Sequence, residues 1–309
     1  MGQPLRVESK SRVSLGTTKT QNNLLWFVNN RALTQAILGY LAMYVIKYGA
    51  EIYAFVIQGN HYHLLIRFPN LNRAAFFRDF NARVAMLVKI HVKDFPGGHL
   101  FARRYAEQIV PEQEDMEDRL CYCYLQAVNT GLAEIPSQYP DYNSFSDATK
   151  GIVRKYKVID WETYNQKKRY NPNLKVEDYT TYYDLKYSRL PGYEDMPQLD
   201  YRKLMVTKAE AYRQKILERR KAEGKTSFLG PNMLKKTIPG SAPLTSKTSK
   251  CGDSRPLVLI KFPHIRDQVL SEHYTKYYHP YKAASKAYLA GNKNAIFPPC
   301  TYKPPGPFV

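Results

Sequence analysis

The sequence lacks any apolar run long enough to span a membrane. Its most apolar stretch, Ala36 to Ile46, has only 11 residues and lies between Gln35 and Lys47, whereas a membrane-spanning helix needs about 20 apolar residues. The first residues, Met1 to Lys10, contain no apolar core of the kind that a secretion signal requires. We therefore expect a protein that neither crosses a membrane nor carries a secretion signal.

Cysteine is also scarce. There are four cysteines, of which Cys121 and Cys123 are too close in sequence to pair easily, and Cys251 and Cys300 lie in distant basic segments. This pattern predicts neither a disulfide framework nor a zinc site of the Cys-x-x-Cys type. A reducing, cytoplasmic location is the expectation.

Negative charge is in short supply relative to positive charge. The 309 residues include 46 Lys and Arg but only 27 Asp and Glu, a formal net charge of +19. Residues 1–150 hold 16 basic and 13 acidic residues, net +3, and residues 151–309 hold 30 and 14, net +16. Such an excess favours a polyanionic partner, with nucleic acid first and an acidic membrane surface second.

Residue periodicity in the first half predicts alternating strands and helices. The predicted elements are a polar tail or first strand within residues 1–20, a strand at 24–28, a helix at 31–48, strands at 52–57 and 61–68, a helix at 71–91, a strand at 103–110 and a helix at 112–132. This order predicts an α+β fold with an antiparallel sheet.

The second half has a different composition. It predicts a basic helix at 201–223, a linker rich in Pro, Ser, Thr and Lys at about 230–255, and a helix at 264–290 broken at Pro280. We expect a basic, mostly helical region with a Pro-rich end.

The most distinctive motif is a pair of histidines on a predicted strand. Side chains alternate faces along a strand, so His61, His63 and Arg67 share one face, and Tyr62 lies on an apolar face with Leu64 and Ile66. Two imidazoles on one face can converge on a metal ion. The alternative is a pair of structural histidines whose hydrogen bonds are satisfied within the fold.

A tyrosine on the helix at 112–132 is the second candidate. Residues four apart are neighbours on a helix, so Tyr122 and Gln126 project side by side from the polar stripe. Tyr124 points to the apolar stripe and the core, which makes it only a fallback nucleophile. The alternative is that Tyr122 is an ordinary surface tyrosine.

Taken together, these motifs resemble the HUH single-tyrosine transposases, and most closely the REP-associated tyrosine transposase branch. The matching segments are Gly59-Asn60-His61-Tyr62-His63-Leu64-Leu65, then Phe101, Arg104-Tyr105 and the acidic stretch 112–118, then Tyr122 to Leu132 with Gln126-Ala127-Val128 and Gly131, then Pro136 to Pro140. The order and spacing match over roughly residues 15–147. Two departures are Gly59 for the usual proline and Gln126-Ala127 for Asn-Pro.

The resemblance implies a ferredoxin-like HUH nuclease core at 15–147, followed by a basic nucleic-acid-binding region at 148–309. It further implies that His61 and His63 hold a divalent metal, Mg²⁺ or Mn²⁺, with Gln126 as third ligand. Tyr122 would then cleave single-stranded or hairpin DNA through a 5′-phosphotyrosine and rejoin it. Both a monomer and a homodimer are compatible with this class.

Basic residues offer the expected phosphate contacts. The candidates are Arg67, Arg103, Arg104, Lys167, Lys168, Arg169, Arg219 and Arg220.

Two other functions stay open at this point. One is a derived protein that binds hairpin or single-stranded DNA without cutting it, which the Gln126-Ala127 departure permits. The other is an RNA-binding protein in which His61 and His63 are structural.

Overall fold

The central element is a four-stranded antiparallel sheet. In this computed structural model, which describes residues 5–110, 113–243, 257–258 and 263–306, the strands occur in the order β2-β3-β1-β4. The elements that build this unit are β1 Val13–Lys19, α1 Arg31–Tyr48, β2 Glu51–Gln58, β3 His61–Arg67, α2 Arg73–His91 and β4 Ala106–Val110. The β-α-β-β-α-β order with this strand sequence is a ferredoxin-like arrangement, and it confirms the predicted α+β class.

One face of the sheet packs on α1 and α2 through an aromatic core. Tyr62 of β3 and Phe55 of β2 meet Phe80 of α2, with ring centroids 5.6 and 6.2 Å from the Phe80 ring. Gly16 of β1 lies directly under Phe77, because a Cβ at that position would be 2.4 Å from the ring. This confirms the prediction that Tyr62 lies on an apolar face of β3 that packs into the core.

The opposite face is covered by two further helices. They are α3 Gln113–Tyr124 and α7 Gln198–Ala222, and Tyr201, Met205 and Ala209 of α7 join the same buried cluster as Leu120 and Leu65. The helix of the basic second half is thus part of the core that covers the histidine-bearing face.

The remaining elements lie around this unit. They are α4 Gln126–Asn129, α5 Phe145–Lys150, β5 Arg154–Ile159, α6 Trp161–Lys168, β6 Thr180–Leu185, α8 Pro231–Lys235, α9 Pro263–His273 and α10 His279–Leu289. Strands β5 and β6 form a separate antiparallel pair that packs on α1, where a Cβ at Gly39 would lie 2.6 Å from the Lys157 carbonyl oxygen. Within the described ranges, no helix is long and apolar enough to cross a membrane.

The predicted strand at 24–28 is wrong, and the alternative of a first strand within residues 1–20 is correct. Residues 24–28 form an irregular segment in which Trp26 packs edge-on against Phe95 at 4.9 Å. Their apolar character reflects burial in a loop, where Trp26, Phe27 and Val28 are all buried.

Two long predicted helices are divided. The helix at 112–132 turns at Leu125, whose ψ of 13° departs from the helical value, so that α3 and α4 are separate; Glu112 itself lies outside the described residues. The helix at 264–290 contains a π-helical stretch, Tyr274–Tyr278, instead of a break at Pro280. The wider turn accommodates a proline that has no N–H to donate.

Of the predicted linker at 230–255, the structure describes residues up to 243, which include the short helix α8. The rest of it, with Cys251, lies outside the described residues.

Candidate functional site

The histidine pair lies on β3, on the face that α3 covers. The imidazole centroids of His61 and His63 are 4.8 Å apart and the rings are nearly perpendicular. On β1, Lys19 and Thr17 are their respective partners in the antiparallel register. The two imidazoles are therefore neighbours on one sheet face, next to the start of the strand.

A hydrogen bond on Nδ1 orients each ring. Asn60 Oδ1 is 2.7 Å from Nδ1 of His61, and the Thr17 hydroxyl is 2.8 Å from Nδ1 of His63. Metal-binding histidines commonly use one ring nitrogen for such a partner and the other for the metal. This arrangement fixes which nitrogen of each ring would serve as a ligand, namely Nε2.

Tyr122 of α3 stands beside this pair. Its ring centroid is 5.4 Å from that of His63, at an interplanar angle of 66°. Tyr124 has different surroundings, since its ring stacks on Phe145 at 3.9 Å and burial raises its pKa. Of the two tyrosines, Tyr122 is the one that the helix places against the histidine face.

Arg119 is a neighbour of Tyr122 that the sequence interpretation missed. Its guanidinium carbon is 5.2 Å from the centroid of the Tyr122 ring. The spacing of Arg119 and Tyr122 in the sequence indicates this contact, because residues three apart on a helix lie side by side. Arg119 brings a permanent positive charge to the ring that carries the candidate hydroxyl.

Gln126 is buried to a greater extent than its polar stripe suggested. It is 3% exposed, and Asp118 of the same stripe is 8% exposed, because this part of the chain lies between the sheet and α7. The Nε2 atom of Gln126 has no hydrogen-bond partner among the described residues. Leaving a buried amide donor unpaired costs about 1–3 kcal/mol, so this side chain is a candidate to contact a bound group.

Gln58 is a second buried amide that the sequence interpretation missed. It is the last residue of β2 and is the register partner of His61, so the two side chains point to the same face of the sheet. It is 3% exposed, and its Nε2 atom likewise has no partner in the described part of the chain. The sequence signal was its position directly across the Gly59-Asn60 turn from His61.

These two amides bear on whether the site fits a metal ion. Amide oxygen and nitrogen have almost the same shape, and a half-turn of either side chain would place its oxygen where the unpaired nitrogen now lies. No group of three or more His, Cys, Asp and Glu side chains that could hold a metal occurs within the described residues. A metal ion held by His61 and His63 would therefore need ligands of another type, for which the amide oxygens of Gln58 and Gln126 are the candidates.

The nearby cysteines do not extend this set. Cys121 and Cys123 are buried and form no disulfide within the described residues, and burial raises the pKa of the Cys123 thiol to about 12. Because the thiolate is the form that binds metals, Cys123 is a neutral packing residue of α3.

Two of the predicted DNA contacts lie next to the histidine end of the sheet. Arg103 and Arg104 are exposed, and they follow Ala102, whose N–H donates to the Lys19 carbonyl at 3.1 Å. Since Lys19 is the register partner of His61, this basic pair borders the candidate site.

Arg67 lies elsewhere. It occupies the far end of β3, where its guanidinium donates to Glu51 at 2.5 and 3.1 Å. Its charge is thus already engaged by a carboxylate.

The basic residues of the second half fall into two groups. Lys167 and Lys168 end α6, and Arg169 follows it; the amino groups of the two lysines lie over the rings of Tyr179 and Tyr164, respectively. The end of α7 instead contacts the segment after α3.

Arg219 and Arg220 at the end of α7 have structural partners. Arg219 donates to Asn129 at 2.5 Å. Arg220 is only 8% exposed, donates to the Ser227 carbonyl at 2.9 Å and covers the Phe228 ring. The position of Arg220 differs from the expectation of a phosphate contact, because its charged group is buried against the chain's own loop.

The comparisons with known proteins find similarity to solved structures alone. No family model matches the sequence, and no curated protein matches it. A solved structure described as the REP associates tyrosine transposase bound to a REP hairpin is similar at 17% identity and a TM-score of 0.40, covering 47% of this chain and 84% of that one.

Proposed function

We propose that this protein cleaves and rejoins single-stranded or hairpin DNA through a covalent bond between Tyr122 and a 5′-phosphate. The observation that carries the proposal is the position of the Tyr122 ring, 5.4 Å from the ring of His63, which in turn lies 4.8 Å from His61. A nucleophile beside a pair of oriented histidines is an arrangement for metal-assisted phosphoryl transfer.

The reaction needs no nucleotide cofactor. The Tyr122 hydroxyl loses its proton and attacks phosphorus, the bond to the 3′ oxygen breaks, and the leaving oxygen takes up a proton to become a free 3′-OH. Attack by another 3′-OH on the phosphotyrosine reverses the step and joins two strands. Each step exchanges one phosphoester bond for another, so the energy of the bond is retained.

His61, His63 and Gln126, with Gln58 beside them, would hold a divalent cation. When bound, Mg²⁺ or Mn²⁺ would withdraw charge from a phosphate oxygen and stabilise the charge that develops on it. All four side chains are neutral donors when the histidines are deprotonated. Thr17 and Asn60 keep the two imidazoles in their orientation.

Arginines around Tyr122 supply the remaining positive charge. Arg119 lies over the Tyr122 ring, where it favours a negative charge on the attacking oxygen or the phosphate. Arg103 and Arg104 are exposed at the border of the site, in position to contact the phosphates on either side of the one that reacts. The net charge of +19 would attract the polyanionic DNA over a longer distance than these contacts reach.

The experiment mixes the protein with a labelled pool of hairpin-bearing single-stranded DNA and Mn²⁺ or Mg²⁺, then resolves the products on a denaturing protein gel. We expect a metal-dependent band of protein bound to DNA that disappears in Tyr122→Phe. The matched control is Tyr124→Phe, the same substitution two residues away on the same helix, which should keep the band. A band that survives in Tyr122→Phe would contradict the assignment.

The burial of the site favours one alternative, a protein that binds DNA without cutting it. His63 is 5% exposed and Gln126 is 3% exposed, so a phosphate must displace covering side chains to reach them. A protein that binds hairpin or single-stranded DNA without cutting it would need no such access. Tight single-strand binding with no covalent band at any metal concentration would support this alternative, and preferential binding of RNA would contradict both.

A further inference from the structure

A basic cleft lies outside the candidate site, and none of the candidate site residues lines it. It has a volume of about 940 Å³ and is bounded by the N-terminal end of α1, the segment 140–147, the start of β5 and the end of α8. Four cations line it: Arg31, Arg154, Lys155 and Lys235. Neither the sequence motifs nor the proposed reaction accounts for this cleft.

The lining keeps an excess of positive charge after its internal ion pairs are counted. Asp147 is engaged by Arg154 through two hydrogen bonds of 2.6 and 2.8 Å. Arg31 and Lys235 make no ion pair with any residue that the structure describes. Lys155 lies 4.0 Å from the exposed carboxylate of Asp184, an interaction that contributes little in water.

The walls of the cleft are held in place by specific contacts. The Asn29 side-chain amide donates to the carbonyls of Leu234 and Thr237 at 2.8 Å, which fixes α8 and its Lys235. The Asn30 side chain caps α1 by accepting from Leu33 N–H at 2.9 Å. The positive end of an 18-residue helix therefore faces the cleft.

Hydrogen bonds join the cleft to the histidine hairpin. The Tyr139 hydroxyl donates to Asp141 of the cleft lining at 2.7 Å and accepts from Gly59 N–H at 3.1 Å. Gly59 precedes Asn60, which orients His61. The cleft and the candidate reaction site are thus attached to the same two-residue turn.

We propose that this cleft binds the phosphate backbone of the same single strand, at nucleotides beyond those that lie at Tyr122. The inference rests on the proposed function for its ligand being DNA. An open cleft of this volume can take a short stretch of single strand, whose phosphates the cations would contact. The half-exposed side chain of Val153 offers an apolar surface to a base.

The test compares two single-stranded oligonucleotides that share one hairpin. The short one ends near the hairpin, and the longer one carries added nucleotides on both sides. Affinity is measured by fluorescence anisotropy at several salt concentrations for the original protein and for Arg31→Glu/Lys155→Glu. The matched control is Lys282→Glu/Lys286→Glu, the same charge change at two exposed positions of α10, and circular dichroism verifies that each variant is folded.

We expect the longer strand to bind the original protein about tenfold more tightly than the short one, and the cleft variant to lose that gain. Its log–log salt slope on the longer strand should fall by about 0.7 for each phosphate that the variant no longer neutralises. The control variant should keep the gain. Pairing the added nucleotides with a complementary strand should abolish it.

An equal loss on both oligonucleotides, an equal loss in the control, or no gain from added nucleotides would overturn the cleft proposal. The two proposals fail separately in this design. If the short oligonucleotide still forms the Tyr122 adduct while the cleft variant behaves like the original protein, only the cleft assignment is wrong. If no adduct forms but the gain is lost in the cleft variant alone, the cleft binds DNA and the cleavage proposal is wrong.

Discussion

At the scale of single residues, the candidate site depends on differences between close neighbours in sequence. Thr17 and Thr18 are adjacent on β1 and both are buried, but they bond to opposite faces of β3. Thr17 contacts His63 at 2.8 Å, whereas Thr18 donates to the Tyr62 hydroxyl at 3.0 Å. The same is true of Tyr122 and Tyr124, of which only the first lies against the histidine ring.

This difference gives a matched pair of substitutions. Thr17→Val removes the partner that orients His63, and we expect Mn²⁺ affinity to fall about tenfold, the low end of the effect of such partners. Thr18→Val removes a hydroxyl of equal burial on the other face and should leave the affinity unchanged. Isothermal titration with Mn²⁺ measures both, and equal affinities for the two variants would remove Thr17 from the site.

Asp141 gives a prediction on pH. Burial raises its pKa from 3.8 to about 6, partly offset by the hydrogen bonds from Tyr139 and from Asn29 N–H. Between about pH 4 and 6 the folded protein keeps a proton that the unfolded chain has released, so this group lowers the free energy of unfolding as pH rises through that window. Above about pH 6 both states are ionised and its contribution is constant.

Asp141→Asn should remove this dependence. Each unit of pKa corresponds to about 1.4 kcal/mol, and for a partly exposed carboxyl we expect a difference of about 2 kcal/mol between pH 4 and 7. Urea unfolding at several pH values measures it for both proteins. The same slope in the two proteins would show that Asp141 ionises as in the unfolded chain.

At the scale of elements, residue periodicity predicts those helices and strands whose ends are set by neighbouring residues in the sequence. The bounds of α1 agree with the predicted helix, because its apolar spacing, its Asn30 cap and the left-handed Gly49 that ends it are all local features. The sequence of residues 1–20 is compatible with both a tail and a strand, since β1 becomes a strand by lying between β3 and β4. The cleft between α1 and β5 arises from contacts between distant segments, which periodicity does not record.

Close packing of α1 on β5 gives a prediction at this scale. Gly→Ala within a helix ordinarily stabilises by about 1 kcal/mol. At Gly39 we expect destabilisation of about 1–3 kcal/mol, because the added Cβ would meet the Lys157 carbonyl oxygen at 2.6 Å and Val158 at 3.3 Å. Urea unfolding measures the change.

Ile46→Ala is the control for Gly39→Ala, since Ile46 lies on the same helix and is 56% exposed. It should change stability little. A Gly39→Ala protein as stable as the original, or more stable, would mean that the β5–β6 pair does not press on α1.

At the scale of the whole molecule, the chain's two halves combine around both proposed sites. α7 of the basic half covers the sheet face that bears the histidines. The basic cleft is lined by Arg31 of residues 1–150 and by three cations of residues 151–309. The boundary at 147/148 stays a prediction.

The described ends of the chain also meet. Glu8 accepts hydrogen bonds from the N–H groups of Arg73 and Ala74 at the start of α2 and from the Tyr302 hydroxyl. Its own N–H donates to the Cys300 carbonyl at 3.0 Å. This buried carboxylate joins the N-terminal segment and the Pro-rich C-terminal segment to the same helix end.

The central claim is that Tyr122 becomes covalently bonded to DNA, and the most direct measurement is to locate the modified residue. The protein is incubated with hairpin-bearing single-stranded DNA and Mn²⁺, then digested with nuclease and protease, and the peptide that carries a nucleotide is fragmented in a mass spectrometer. We expect a 5′-phosphonucleotide on Tyr122. A nucleotide on Tyr124 or another residue, or cleaved DNA with no modified peptide, would contradict it.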